Sequence, residues 1–173
     1  TAGGTLDMVT YDLGVTNVTN SGTIRTQSLS ATPLTTGKTW GGTVQYDAAG
    51  GQTIVIGKYN KLTISGSGTK SMASGTSITG NLSIAPTGSA TASVAAAQNL
   101  TVNSLKLGGL GRINGTWGST GAAAATNKND TYFTSTANGY VNVATNTTPT
   151  YTVSYNGNGN TSGQAIVEVY EVP

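Results

Sequence analysis

Cysteine and histidine are both missing from this chain, which excludes disulfide staples, cysteine nucleophiles, histidine-based triads and nearly every zinc, copper or haem site. Charge is scarce as well. Only 8% of the 173 residues are Asp, Glu, Lys or Arg and the net charge is +2, so the pI near 8.9 reflects few acids and not a basic patch. No nucleic-acid partner is expected. The opening stretch TAGGTLDMVTYDLG has neither a basic leader nor a long apolar run, so neither a signal peptide nor a membrane anchor is read there, and no membrane insertion is expected.

Thr, Ser, Asn and Gly dominate what is present. Alone they would describe a linker. Ile, Val, Leu and Tyr are interleaved among them at short spacing throughout, however, and that interleaving favours strands. The length suits one domain, or one domain with the start of another.

A repeat underlies the interleaving. Aligned on one apolar position, Gly22-Thr23-Ile24, Gly42-Thr43-Val44, Leu62-Thr63-Ile64, Leu82-Ser83-Ile84 and Leu100-Thr101-Val102 follow one another at steps of twenty, twenty, twenty and eighteen residues. Strand neighbours point to opposite faces, so the outer two members of each triplet share an apolar side and the Thr or Ser faces away. A turn-like pair precedes each triplet, for example Asn20-Ser21, Trp40-Gly41 and Asn60-Lys61. A second apolar run lies six to ten residues before the triplet, as in TIVIG from Thr53, SITG from Ser77 and SVAAA from Ser93.

These features predict an all-β fold: a parallel β-helix with coils of about 20 residues. Ile24, Val44, Ile64, Ile84 and Val102 are expected to form one buried column, and Thr23, Thr43, Thr63, Ser83 and Thr101 one outward column. Neither a leucine-rich repeat nor an immunoglobulin-like sandwich accounts for the step as well. Beyond Val102 the step is lost, with Trp117, Tyr132 and Phe133 available to cap an open apolar end. The expected boundaries are a β-helix segment over 1–145, then a linker and the start of a small β module over 146–173, in which YTVSYNGNGNTSG opens a strand leading to an Asn-Gly turn and AIVEVYEVP supplies another.

The stretches GTLDMVTYDL, SGTIRTQSLSATPLTTGKTWGGTVQYDAAGGQTIVIGKYNKLTISGSGTK and INGTWGST…ATNKNDTYF resemble the repetitive regions of large cell-surface adhesins of Bacteroidota, including gliding-type adhesins exported by type IX secretion. The resemblance covers roughly residues 5 to 145. YTVSYNGNGNTSG is similar to the opening of a Listeria–Bacteroides extracellular repeat, although QAIVEVYEVP departs from what normally follows. The resemblance implies a secreted protein displayed extracellularly on the cell surface and engaged in adhesion and gliding motility. Its partners would be a host, substratum or glycan surface, together with the type IX secretion and surface-attachment machinery. It carries over no catalytic residue and no cofactor.

The residues point the same way on chemistry. Of the six carboxylates, Asp7, Asp12, Asp47, Asp130, Glu168 and Glu171, the first three could approach one another for acid–base work only if coil corners bring them to one side, and solvated turn aspartates are the expected reading. No coil carries a calcium-binding glycine–aspartate pattern, so no metal site is expected. GSGTK (Gly66 to Lys70) lacks the spacing of a phosphate loop and reads as a corner. Ice binding would need a second threonine rank, and the next outward positions are Arg25, Gln45, Ser65, Ala85 and Asn103. Lys38, Lys58, Lys61, Lys70 and Lys106 are expected to protect strand edges and aid solubility. The chain is therefore expected to be a non-enzymatic structural or adhesive segment. The alternative is a carbohydrate-binding or carbohydrate-active β-helix, whose surface candidates are Tyr46, Asp47 and Tyr59. Exposure of Tyr46, Tyr59 or Trp40 beside Asp47 would favour it, and burial of those rings would count against it.

Overall fold

The computed structural model describes residues 3–85, 87–148, 150–154 and 167–171. Among them are β1 (Thr5–Asp7), β2 (Thr23–Thr26), β3 (Thr39–Tyr46), β4 (Gln52–Ile54), β5 (Lys58–Ile64), β6 (Thr69–Met72), β7 (Ser77–Ile84) and β8 (Thr91–Val94). There follow β9 (Asn99–Val102), β10 (Ser104–Leu107), β11 (Leu110–Gly111), β12 (Gly115–Gly118), β13 (Asn127–Lys128), β14 (Tyr140–Val143), β15 (Thr150–Ser154) and β16 (Val167–Glu171). The described residues form no helix, so none is long and apolar enough to cross a membrane.

The strands β1-β2-β3-β5-β7-β10 make one parallel ladder, which β11 borders as an antiparallel edge. A second parallel sheet runs β4-β6-β8, and a mixed third sheet runs β13-β12-β14-β9. The strands stack as a β-solenoid of about five turns with coils of roughly 20 residues, the parallel β-helix that the repeat predicts. Burial alternates residue by residue along β3, with Val44 and Tyr46 inside and Thr43 and Gln45 towards solvent. That is the alternation a parallel strand with one apolar side produces.

The pairing register differs from the expected one at two places. Ile24 pairs with Val44 as the repeat predicts, but Val44 then pairs with Leu62, eighteen residues on, and Tyr46 pairs with Ile64. After Leu62↔Leu82 and Ile64↔Ile84, the next partners are Leu105 and Leu107, not Leu100 and Val102. Leu100 and Val102 instead sit in β9, opposite Val141 and Val143 of β14. The apolar columns are therefore Leu6-Ile24-Val44-Leu62-Leu82-Leu105 and Tyr46-Ile64-Ile84-Leu107. A slip of two residues keeps every side chain on its own face, so the period of the sequence cannot distinguish these registers.

What selects the observed register lies upstream in the long strands, where Trp40, Tyr59 and Ile78 form a third buried column. A bulge follows, with two residues, Gly41 and Gly42, opposite the single Asn60. A Cβ on Gly42 would lie 2.1 Å from the carbonyl oxygen of Gly22, so only glycine fits where the coils meet this closely. The same register breaks the outward threonine column: Thr43 pairs with Lys61, which pairs in turn with Asn81, while Thr63 stands between Gln45 and Ser83.

At the other end of the strands the chain turns the corner into the second sheet. GSGTK is such a corner: Gly66 has φ +72°, and its Cβ would meet the Ala48 carbonyl oxygen at 2.3 Å. Of the second apolar runs, TIVIG and SVAAA contribute to β4 and β8, whereas SITG opens β7 itself. The solenoid closes where parallel pairing gives way to the antiparallel pairs β10–β11 and β12–β14. Phe133, 1% exposed, adds a last rung beside Ala92, Trp117 is buried at β12, and Tyr132 is partly buried against the core. In the final stretch β15 pairs antiparallel with β16. The expected Asn156-Gly157 turn lies outside the described residues.

Candidate functional site

Tyr46 and Tyr59 are both fully buried, which corrects their expected place on a binding surface. Tyr46 shares its side of β3 with Val44, so the alternation that buries the valine buries the ring. Their hydroxyls close a ring of hydrogen bonds at the corner before β5. The Val55 N–H donates to Tyr46 Oη (3.2 Å), Tyr59 Oη donates to the Val55 carbonyl (2.7 Å), and the two hydroxyls lie 3.3 Å apart. With the Tyr59 proton on Val55, Tyr46 is the donor between them. Burial pushes both phenols above their ordinary value, so both stay neutral.

Two polar side chains that the sequence analysis did not place inside are buried in register with each other: Gln52 of β4 and Lys70 of β6. Gln52 Nε2 donates to the carbonyls of Thr26 (3.1 Å) and Ser28 (2.9 Å), and its Oε1 accepts from the Ala48 N–H (2.9 Å). Lys70 repeats the arrangement one coil later. Its Nζ donates to the carbonyls of Ala48 (2.8 Å), Gly50 (2.7 Å) and Ser67 (3.0 Å). An ammonium has three donors, and here three corner carbonyls take them all. Lys70 is therefore no solubility lysine on a strand edge, as had been expected. Desolvation lowers its pKa to about 8, against the opposing pull of the Asp47 charge. The only available sequence signal was position, since Gln52 and Lys70 each sit just after a glycine-rich corner.

On the outer face Arg25 bridges two aspartates. Its Nη1 lies 2.8 Å from Asp7 Oδ2, and its Nε donates to Asp47 Oδ2. The hydrogen bond and charge of Asp47 raise the guanidinium pKa further, with a smaller contribution from Asp7. Asp12 accepts from Ser28 Oγ at 2.5 Å. Asp130 receives the Thr120 N–H and hydroxyl, each at 2.8 Å. Each of these four carboxylates thus has a structural partner. Asp7 and Asp47 share the Arg25 guanidinium.

The open depression beside Asp47 is lined by groups such as Arg25, Gln27, Leu29, Gln45 and Ser65, and among the described residues no aromatic ring borders it. Trp40 is fully buried as well. A sugar-stacking platform of Trp40, Tyr46 or Tyr59 therefore does not form at this depression, and of the three surface candidates only Asp47 borders it. Among the described residues no three His, Cys, Asp or Glu side chains gather to hold a metal ion. Comparison of the chain with protein-family models, with curated proteins and with solved structures found no match.

Proposed function

We propose that this chain is a non-enzymatic rod segment, structural or adhesive, of a secreted bacterial cell-surface adhesin exported by the type IX route. The observation that carries this reading is the unbroken parallel ladder from β1 to β10 over continuous apolar columns. Each coil is satisfied mainly by its neighbours, which makes length and stiffness the properties such a design supplies most directly. Successive coils advance about 4.8 Å. The distribution of polar groups supports the same role, because Gln52, Lys70, Tyr46 and Tyr59 serve corners and core, not a cleft.

In use, the segment would hold binding surface away from the cell, against a host, substratum or glycan surface. The test is display of the chain between a membrane-anchored base and an epitope tag on a non-adhesive bacterium. The expected result is an epitope reached by antibody at greater distance from the cell, with retention under flow on coated surfaces in proportion to display. Turnover of a polysaccharide by the purified chain would overturn the non-enzymatic reading.

A further inference from the structure

The cap region holds a cation with no partner of opposite sign among the described residues. Arg112 is 8% exposed, and among the described residues its side chain makes one hydrogen bond, from Nη2 to the Leu107 carbonyl at 3.3 Å. Its Nε is buried without a partner. The described ion pairs all belong to Arg25. A buried guanidinium facing no anion is costly unless something supplies one.

Arg112 is also held in place. Its N–H donates to the Leu105 carbonyl (2.9 Å), its carbonyl accepts from the Thr147 N–H (3.2 Å), and the guanidinium carbon stands 5.7 Å from the Trp117 ring centroid. The indole is fixed in turn by Nε1–H donating to the Ile113 carbonyl at 3.0 Å. Arg112 and Trp117 line an open depression together with Thr126, Asn127, Lys128 and Asn129.

The neighbours supply donors around that cation and one acceptor beside it. Lys128 is exposed and bonds the Ala122 carbonyl, which leaves two of its ammonium hydrogens over. Asn129 uses its Oδ1 on the N–H groups of Thr131 (3.1 Å) and Tyr132 (3.3 Å), so its amide hydrogens remain. Asn127 donates through Nδ2 to the Thr116 carbonyl (3.1 Å) and Thr126 Oγ1 (3.3 Å), so its Oδ1 is left to accept. The nearest carboxylate in sequence, Asp130, is committed to Thr120.

We infer that this depression binds the acidic group of a saccharide, a carboxylate or a sulfate, with Arg112 and Lys128 on the anionic oxygens and Asn127 Oδ1 on a neighbouring hydroxyl. Planar guanidinium matches both oxyanions. The polar lining favours a hydroxylated carrier over an apolar one. This site is separate from the depression beside Asp47 and independent of the rod reading, since a rod needs no ligand here.

The chain has two arginines, so an Arg25→Lys variant identifies the Nε–H signal of Arg112 in a nitrogen–proton spectrum of the full chain. Hexuronate, a hexose sulfate, neutral hexose and inorganic sulfate are then titrated at constant ionic strength. The expected result is a saturable shift with one or both acidic sugars, the tighter one telling carboxylate from sulfate. Lys128→Met, with its fold checked by circular dichroism because the Ala122 carbonyl loses a donor, should weaken it about tenfold, as loss of one charge-assisted contact implies. No shift with either acidic sugar, or the same shift with neutral hexose or inorganic sulfate, overturns the proposal. So does unchanged affinity in Lys128→Met.

Discussion

The two arginines of this chain sit in opposite circumstances. Arg25, among the regular coils, is held between Asp7 and Asp47 with a third of its side chain in solvent. Arg112, in the cap, is buried against Trp117 and faces no carboxylate among the described residues. In the coils, the charged side chains find partners through stacking: Asp7 lies beside Arg25 in register, and Lys70 reaches the corner carbonyls of Ala48 and Gly50 one coil back. Once parallel pairing gives way to antiparallel pairing, stacking no longer dictates who stands next to whom. The contrast is one of charge, not of polar groups at large, since buried atoms such as Trp40 Nε1 and Asp47 Oδ1 also lack partners in the coils: stacking brings one coil cation its counter-ions, while the irregular cap leaves its arginine without one among the described residues.

The largest effect should come from placing an unpaired charge in the regular region. Ile64 is fully buried, between Tyr46 and Ile84 in its column. Ile64→Asp forfeits about 1.5–3 kcal/mol of apolar burial and adds the cost of a buried carboxylate, for a total above about 4 kcal/mol. Urea unfolding followed by circular dichroism should show loss of the coils at 25 °C or a steep fall in midpoint. A variant that unfolds like the parent would mean that this column does not face the core.

Lys70→Met tests whether the partnered cation is needed. The methionine fills the space but leaves the carbonyls of Ala48, Gly50 and Ser67 without their donor. The expected loss is about 1–3 kcal/mol, read from the same unfolding curves. Arg112→Met is the control for the other side of the comparison. It gives up one long hydrogen bond and the stacking on Trp117, and should lose about 1 kcal/mol. If the two losses were reversed, the cap arginine and not the coil lysine would be the structural one.

The pH profile of stability sharpens the same difference. Lys70 has its folded pKa lowered from 10.5 to about 8. From about pH 8 up towards 10.5 the unfolded chain therefore binds more protons than the folded one, and stability rises with pH. Tyr46 and Tyr59 act oppositely, because burial raises them above 10, so stability falls once the unfolded tyrosines ionise above that pH. Thermal melts should give a maximum at about pH 10. The rising limb should vanish in Lys70→Met and persist in Arg112→Met.

Much of this architecture is legible in the sequence, and where it is not the cause is specific. The triplets announce the strands, their alternation and the coil length, because burying one face of every rung forces a period-two pattern repeated each turn. They do not announce the register, since Val44 beside Leu62 buries the same faces as Val44 beside Ile64. Nor do they announce the tyrosines as core, although Tyr46 shares the parity of Val44 and could have been read so. Lys70 and Arg112 were illegible for another reason. Their burial depends on carbonyls and rings brought in from other coils and from the cap, which no local pattern encodes.

The smallest effect belongs to the outer ion line. Asp7 lies on an exposed strand, and its pairing with Arg25 is shared with solvent. Asp7→Asn keeps the shape and leaves Asp47, whose side chain is 7% exposed, as the partner that holds the guanidinium. The expected loss is a few tenths to about 1 kcal/mol, shrinking further in 1 M salt, where screening acts over about 3 Å. Asp47→Asn should cost more and depend less on salt, because that contact is shielded from water. Equal losses with equal salt dependence would place both aspartates in the same surroundings, and the partnered arginine would then be an ordinary surface cation and not part of the stacked coils.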